Sequence, residues 1–142
     1  MNKKGPILLI DDDEDDLLIF RDIFKELKCE NEVISFLSSD AALEFLNNNK
    51  SVRPFLIISD INLPKLSGIE LRDKIHNNEQ LRLRCIPYLI FTTAIGQDEV
   101  VEAYSKSIQG FFIKPADLKE LTLIIQTILS YWAYCKSPNY IE

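Results

Sequence analysis

Ile7-Leu8-Leu9-Ile10-Asp11-Asp12-Asp13-Glu14-Asp15-Asp16 is the stretch on which the fold turns. Four apolar residues run directly into six acids. An apolar run without alternation reads as a strand buried on both faces, the pattern of a parallel sheet covered by helices. Acids after it suit the positive end of a helix. Leu17, Phe20, Phe24 and Leu27 then recur at helical spacing and predict a helix over about 14–27. Asp13 to Asp16 are accounted for by that helix start, but Asp11 and Asp12 are not. They abut a buried strand, where two carboxylates about 4 Å apart repel by roughly 4 kcal/mol at an effective dielectric near 20. A divalent cation relieves this, and oxygen ligands suit Mg²⁺.

The same alternation continues along the chain. Further short apolar runs are Val33–Leu37, Phe55–Ile58, Tyr88–Phe91 and Phe111–Ile113. Helical patterns separate them, over about 40–48, after Ser67-Gly68 (Ile69, Leu71, Ile75), over 97–106 and over 117–135. The last carries Leu118, Leu121, Ile125, Ile128 and Trp132 as its core stripe. Strands alternating with helices imply βαβ units. The expected fold is an α/β, flavodoxin-like three-layer sandwich: a five-stranded parallel sheet of order 2-1-3-4-5 with five helices. In such sheets ligands bind outside the carboxyl ends of the strands, so those ends are where function is sought.

Asp60 ends strand 3, the neighbour of strand 1 in this order, so its carboxylate converges with Asp11 and Asp12. Strand 4 ends at Thr92 and strand 5 at Lys114-Pro115. A hydroxyl, an ammonium and a metal around one Asp form an anion-binding set. Phosphoryl transfer asks mainly for positioned positive charge and hydrogen-bond donors, and a carboxylate can act as the nucleophile.

Bulk properties narrow the classes. The chain has 142 residues, 46% hydrophobic and 27% charged, which predicts one ordinary domain, with no room expected for a second catalytic or DNA-binding domain. Its 22 acidic and 16 basic residues give a net charge of -6 and no basic stripe, arguing against nucleic-acid binding. The cysteines, Cys29, Cys85 and Cys135, are odd in number and widely spaced, with a single His (His76, a surface residue in or after the third helix). Free thiols in a reducing compartment follow. The N-terminal apolar run of four residues is shorter than the roughly 7–15 of a signal peptide and the roughly 20 of a membrane span, so a cytoplasmic location with no membrane contact is expected.

Ile7–Asp12, Ile58-Ser59-Asp60-Ile61-Asn62-Leu63-Pro64, Phe91-Thr92-Thr93-Ala94 and Gly110-Phe111-Phe112-Ile113-Lys114-Pro115 together resemble the receiver domain of two-component response regulators. The likeness spans about residues 6–132, within a single domain of 1–142 whose extension is 133–142. It implies that Asp60 is the phosphoacceptor. It implies that Asp12 binds Mg²⁺ (or Mn²⁺) directly, with Asp11 helping directly or through water, Asp60 sharing the ion and the Asn62 backbone carbonyl a further ligand. Thr92 would turn inward to bind the phosphoryl group, Lys114 would pair with Asp60 or its phosphate, and the Lys114–Pro115 bond would be cis. Phe111 matches an aromatic switch position where Tyr is common. A Phe there cannot donate a hydrogen bond, so readout would rest on packing. Ser67 stands where an Asp often precedes the loop Gly68 and can still cap the third helix. Asn62 and Ala94 fall two residues beyond Asp60 and Thr92, positions that influence phosphoryl lifetime in this family.

The resemblance implies a regulatory phosphoacceptor rather than an enzyme, at most self-catalysing its phosphorylation and dephosphorylation. The partners it implies are a histidine kinase or phosphotransfer protein and a downstream protein target. The chain ends soon after the last helix, so output is expected through another protein or a second copy. Leu123 and Tyr134, opposite that helix's core stripe, would serve a homodimer or a partner through helix 4, strand 5 and helix 5. The tail over 131–141, with Trp132, Tyr134 and Tyr140, resembles regulators partnered with phytochrome-like kinases. Three rival readings compete with it. A receiver-like binding module independent of phosphorylation would keep the same fold. A phosphohydrolase of the haloacid dehalogenase type needs a second Asp where Asn62 stands. A flavin carrier needs a Ser/Thr/Gly-rich loop where the six acids stand.

Overall fold

Residues 1–93 and 95–138 are described by the computed structural model. Ala94 and Tyr140, named above for phosphoryl lifetime and the tail, lie outside them, as does the rest of the tail beyond residue 138. Five strands form one sheet: β1 (Ile7–Ile10), β2 (Val33–Phe36), β3 (Leu56–Ser59), β4 (Tyr88–Thr92) and β5 (Gly110–Ile113). All pairings are parallel and the order is β2-β1-β3-β4-β5. The helices are α1 (Glu14–Glu26), α2 (Ser39–Asn48), α3 (Gly68–Asn77), α4 (Glu79–Arg82), α5 (Gln97–Ser105) and α6 (Leu118–Tyr134). The expected face of helix 4, strand 5 and helix 5 is therefore α5–β5–α6.

Every residue of β1, β3 and β4 is buried, which explains their unbroken apolar runs. Alternate residues feed two cores. Leu8, Ile57 and Ile90 pack with Leu46 of α2 and Leu71 of α3 on one face. Leu9, Ile58 and Phe91 pack with Phe20 of α1 and Ile125 of α6 on the other. On that second face Phe91 meets Phe20 edge-on at 5.3 Å and stacks on Phe112 at 4.8 Å. Local signals place the helix starts. Asp13 caps α1 by accepting from the Asp15 N–H at 2.9 Å. Ser67 and Glu70 form a reciprocal capping box at α3.

Three expectations are corrected. Among the described residues there are six helices, not five: α4 is a four-residue turn capped by the Asn78 side chain, too short to show a period. Among the described residues no peptide bond is cis, so Lys114–Pro115 is trans. Trans is the intrinsically favoured isomer, and just upstream of it the Lys114 N–H donates to the Thr92 carbonyl at 2.7 Å. Leu118 is exposed rather than core, because it opens α6 ahead of Leu121, Ile125 and Ile128, which are buried. Leu17, Phe20 and Phe24 are buried as expected, and all three cysteines are free thiols. No described helix is long and apolar enough to cross a membrane.

Candidate functional site

Four neighbouring strand ends build the site. Ile10 pairs with Ser59 in the β1–β3 register, and the Asp60 N–H donates to the Ile10 carbonyl at 2.9 Å. Asp11 and Asp60 therefore leave adjacent strands side by side. Ser59 Oγ holds the Asp60 carbonyl at 2.8 Å. The tight approach of α3 to this strand end explains Gly68: a Cβ there would lie 2.0 Å from the Asp60 carbonyl oxygen.

Both carboxylate oxygens of Asp60 are engaged. Oδ1 accepts from Thr92 Oγ1 at 2.8 Å and from the Asn62 N–H at 3.1 Å. Oδ2 accepts from Lys114 Nζ at 2.9 Å. Lys114 Nζ also donates to Asp11 Oδ2 at 2.7 Å and Asp16 Oδ2 at 2.9 Å. Asp11 Oδ1 accepts from the Asp13 N–H at 3.0 Å. Thr92 is fully buried. Its hydroxyl is already turned toward the acid, where an inward turn was expected only with a phosphoryl group present.

Electrostatics follow from this crowding. Burial pushes the Asp11 carboxyl up, against the opposing pull of its bonds to Lys114 and to the Asp13 N–H. Burial alone would lower the Lys114 ammonium, but its bonds to Asp11, Asp60 and Asp16 outweigh it and hold Lys114 above the ordinary lysine range. Three carboxylates face one ammonium, which leaves negative charge in excess.

Of the expected metal ligands, Asp11 and Asp60 converge on Lys114. Asp12 is exposed and lines an open recess with Asp13, Glu14, Asp15 and Leu37. Among the described residues no group of three or more His, Cys, Asp or Glu is already gathered around a metal position. The donor set nevertheless fits a hard divalent cation: carboxylate oxygens carrying uncompensated negative charge at the sheet's open edge. Phe111 is half-buried and packs against the same core cluster as Ile95 of the β4–α5 loop. His76 is partly exposed in α3.

Asp16 was missed by the sequence reading, which assigned it to the helix start. A signal was present. Asp16 lies four and seven residues before Phe20 and Ile23, both buried, so it shares the inward phase of α1.

Residues 7–126 match the family model of the response regulator receiver domain. Response regulator Rcp1 of Synechocystis sp. is 32% identical over 135 residues, covering 92% of this chain and 90% of that protein. The fold resembles the crystal structure of the phosphorylated cyanobacterial phytochrome response regulator RcpA, at a TM-score of 0.85 and 25% identity over 95% of this chain and 99% of that one. It also resembles the Mn²⁺-bound form of Rcp1, at a TM-score of 0.83 and 31% identity with the same coverage of both chains.

Proposed function

The chain belongs to the response regulator receiver domain family, and from that premise we propose that Asp60 is its phosphoacceptor, served by Thr92 and Lys114. The observation that carries this reading is the dual engagement of Asp60: one oxygen meets a hydroxyl donor and the other an ammonium, at the open end of the sheet. The family assigns a regulatory role, not turnover of a substrate. The donor is a phosphohistidine on a histidine kinase or phosphotransfer protein, and the domain over 1–142 works in the cytoplasm.

One carboxylate oxygen of Asp60 attacks phosphorus in line. The P–N bond to the donor imidazole breaks, and its electron pair stays on that nitrogen, which takes up a proton. The product is an acyl phosphate on Asp60. Lys114 and the Thr92 hydroxyl, now beside the acid, pass to the new phosphoryl oxygens. Asp11, Asp12, Asp60 and the Asn62 carbonyl would hold Mg²⁺ or Mn²⁺, which supplies charge neutralisation for the transferring group. Attack by water on phosphorus returns inorganic phosphate and the free carboxylate.

Phosphorylation adds roughly -1.5 to -2 charge units. The β4–α5 loop that follows Thr92 responds, and Phe111 moves with it, shifting the population of two packings of the α5–β5–α6 face. The Phe111 ring has no hydroxyl, so this readout is by packing. The output partner is a downstream protein or a second copy of the chain. Exposed Tyr104, Ile113, Leu123 and Tyr134 support contact on this face. A mass increase of one phosphoryl group from a small phosphodonor, present in the wild type and lost in Asp60→Asn, tests the assignment. Uptake persisting in Asp60→Asn refutes it. Light scattering with and without beryllofluoride tests the homodimer.

A further inference from the structure

We propose that Asp16 is a positioning residue that competes with the phosphoryl group for Lys114 and thereby limits how tightly the phosphorylated state is held. The idea rests on Asp60 as acceptor.

A lysine ammonium has three N–H donors. Here each has a carboxylate partner, on Asp11, Asp16 and Asp60. To serve added phosphoryl oxygens, Lys114 must release or share one of them. The three partners are not equivalent. Asp60 is the acceptor itself. The Asp11 side chain is only 7% exposed and its other oxygen is fixed by the Asp13 N–H. The Asp16 side chain is 32% exposed, and among the described residues no second hydrogen bond holds it. Water can therefore replace Lys114 at Asp16 most readily, and Asp16 is the partner given up.

Asp16 also differs in origin. Asp11 and Asp60 follow strands, whereas Asp16 lies in the first turn of α1. Its hold on Nζ comes from the helix layer, independent of the strand ends that form the phosphoryl pocket. While that bond lasts, part of the ammonium's attraction is spent outside the pocket. An Asn at this position still offers an oxygen, but a neutral acceptor binds an ammonium more weakly than a carboxylate does. Lys114 would then turn more fully to the phosphoryl group.

The test is beryllofluoride affinity of the full chain at saturating Mg²⁺, followed by NMR titration. Asp16→Asn is expected to bind about two- to fivefold more tightly than the wild type, the scale of a partly exposed ion pair. Asp16→Glu, which keeps the charge, should stay near the wild type. Asp15→Asn is the control: Asp15 is exposed, carries the same charge one residue earlier, and has no bond to Lys114. Unchanged or weaker binding in Asp16→Asn overturns the proposal, as does an equal gain in Asp15→Asn. A clear loss of Mg²⁺ affinity in Asp16→Asn, measured without beryllofluoride, also overturns it, because Asp16 would then be a metal ligand. If the wild type itself fails to bind beryllofluoride, the acceptor reading falls. Failure of the Asp16 proposal alone leaves wild-type binding intact.

Discussion

The Asp60 carbonyl oxygen stands 2.0 Å from where a side chain on Gly68 would begin. The start of α3 is thereby pressed against the peptide that carries the proposed acceptor. No Cβ tolerates that distance from a backbone oxygen, so Gly68→Ala must push strand end and helix apart. We expect a loss of about 1–3 kcal/mol, typical of overpacking, read by urea denaturation. Phosphoryl uptake should fall as well, because Asp60 moves away from Thr92.

Thr92→Ala removes the hydroxyl that donates to Asp60 Oδ1 at 2.8 Å. A hydrogen bond to a charged group contributes about 1.5–3 kcal/mol, so beryllofluoride affinity should drop about tenfold or more. Thr92→Ser keeps the donor and should retain most of it. Equal binding by all three proteins would show that the hydroxyl does not follow the phosphoryl group.

Lys114→Ala leaves Asp11, Asp16 and Asp60 facing one another with no cation between them. In chelator this variant should lose about 2 kcal/mol. That is below the roughly 3–5 of a fully buried pair, because Asp16 is partly open to water. Mg²⁺ should raise the Tm of the variant more than that of the wild type, since the ion then supplies the missing positive charge. Calorimetry with and without Mg²⁺ measures both effects.

Tyr88 is fully buried, with its hydroxyl donating to the Gly68 carbonyl at 2.6 Å. Burial pushes its phenol well above the ordinary value of 10.0. The unfolded chain therefore loses this proton at a lower pH than the folded chain. Stability present below about pH 10 is lost as pH rises from the unfolded toward the folded value. Tyr88→Phe should flatten this alkaline decline while costing about 1 kcal/mol at neutral pH for the lost hydrogen bond. Denaturation curves from pH 8 to 11 report both.

What the sequence revealed depended on burial. β1, β3 and β4 are covered on both faces, so their apolar runs mark them to within a residue or two, and the strand ends carrying Asp11, Asp60 and Thr92 follow from the strand order. α4 left no trace, because four residues cannot display a helical period. Asp16 was hidden among six consecutive acids, where charge density masked the inward phase it shares with Phe20. Leu118 misled in the opposite sense: it fits the period of α6 but lies at the helix's first position. Asp12 faces an outer recess rather than the Lys114 cluster, a difference of side-chain direction that no spacing rule conveys.

Phe20, Phe91 and Phe112 form a continuous row of rings from α1 through β4 to β5. The row clamps the underside of the strand that ends in Thr92. Such a clamp resists sideways slip of β4, as a wedged beam does. Braced from both α1 and β5, that strand holds the Thr92 hydroxyl in register with Asp60.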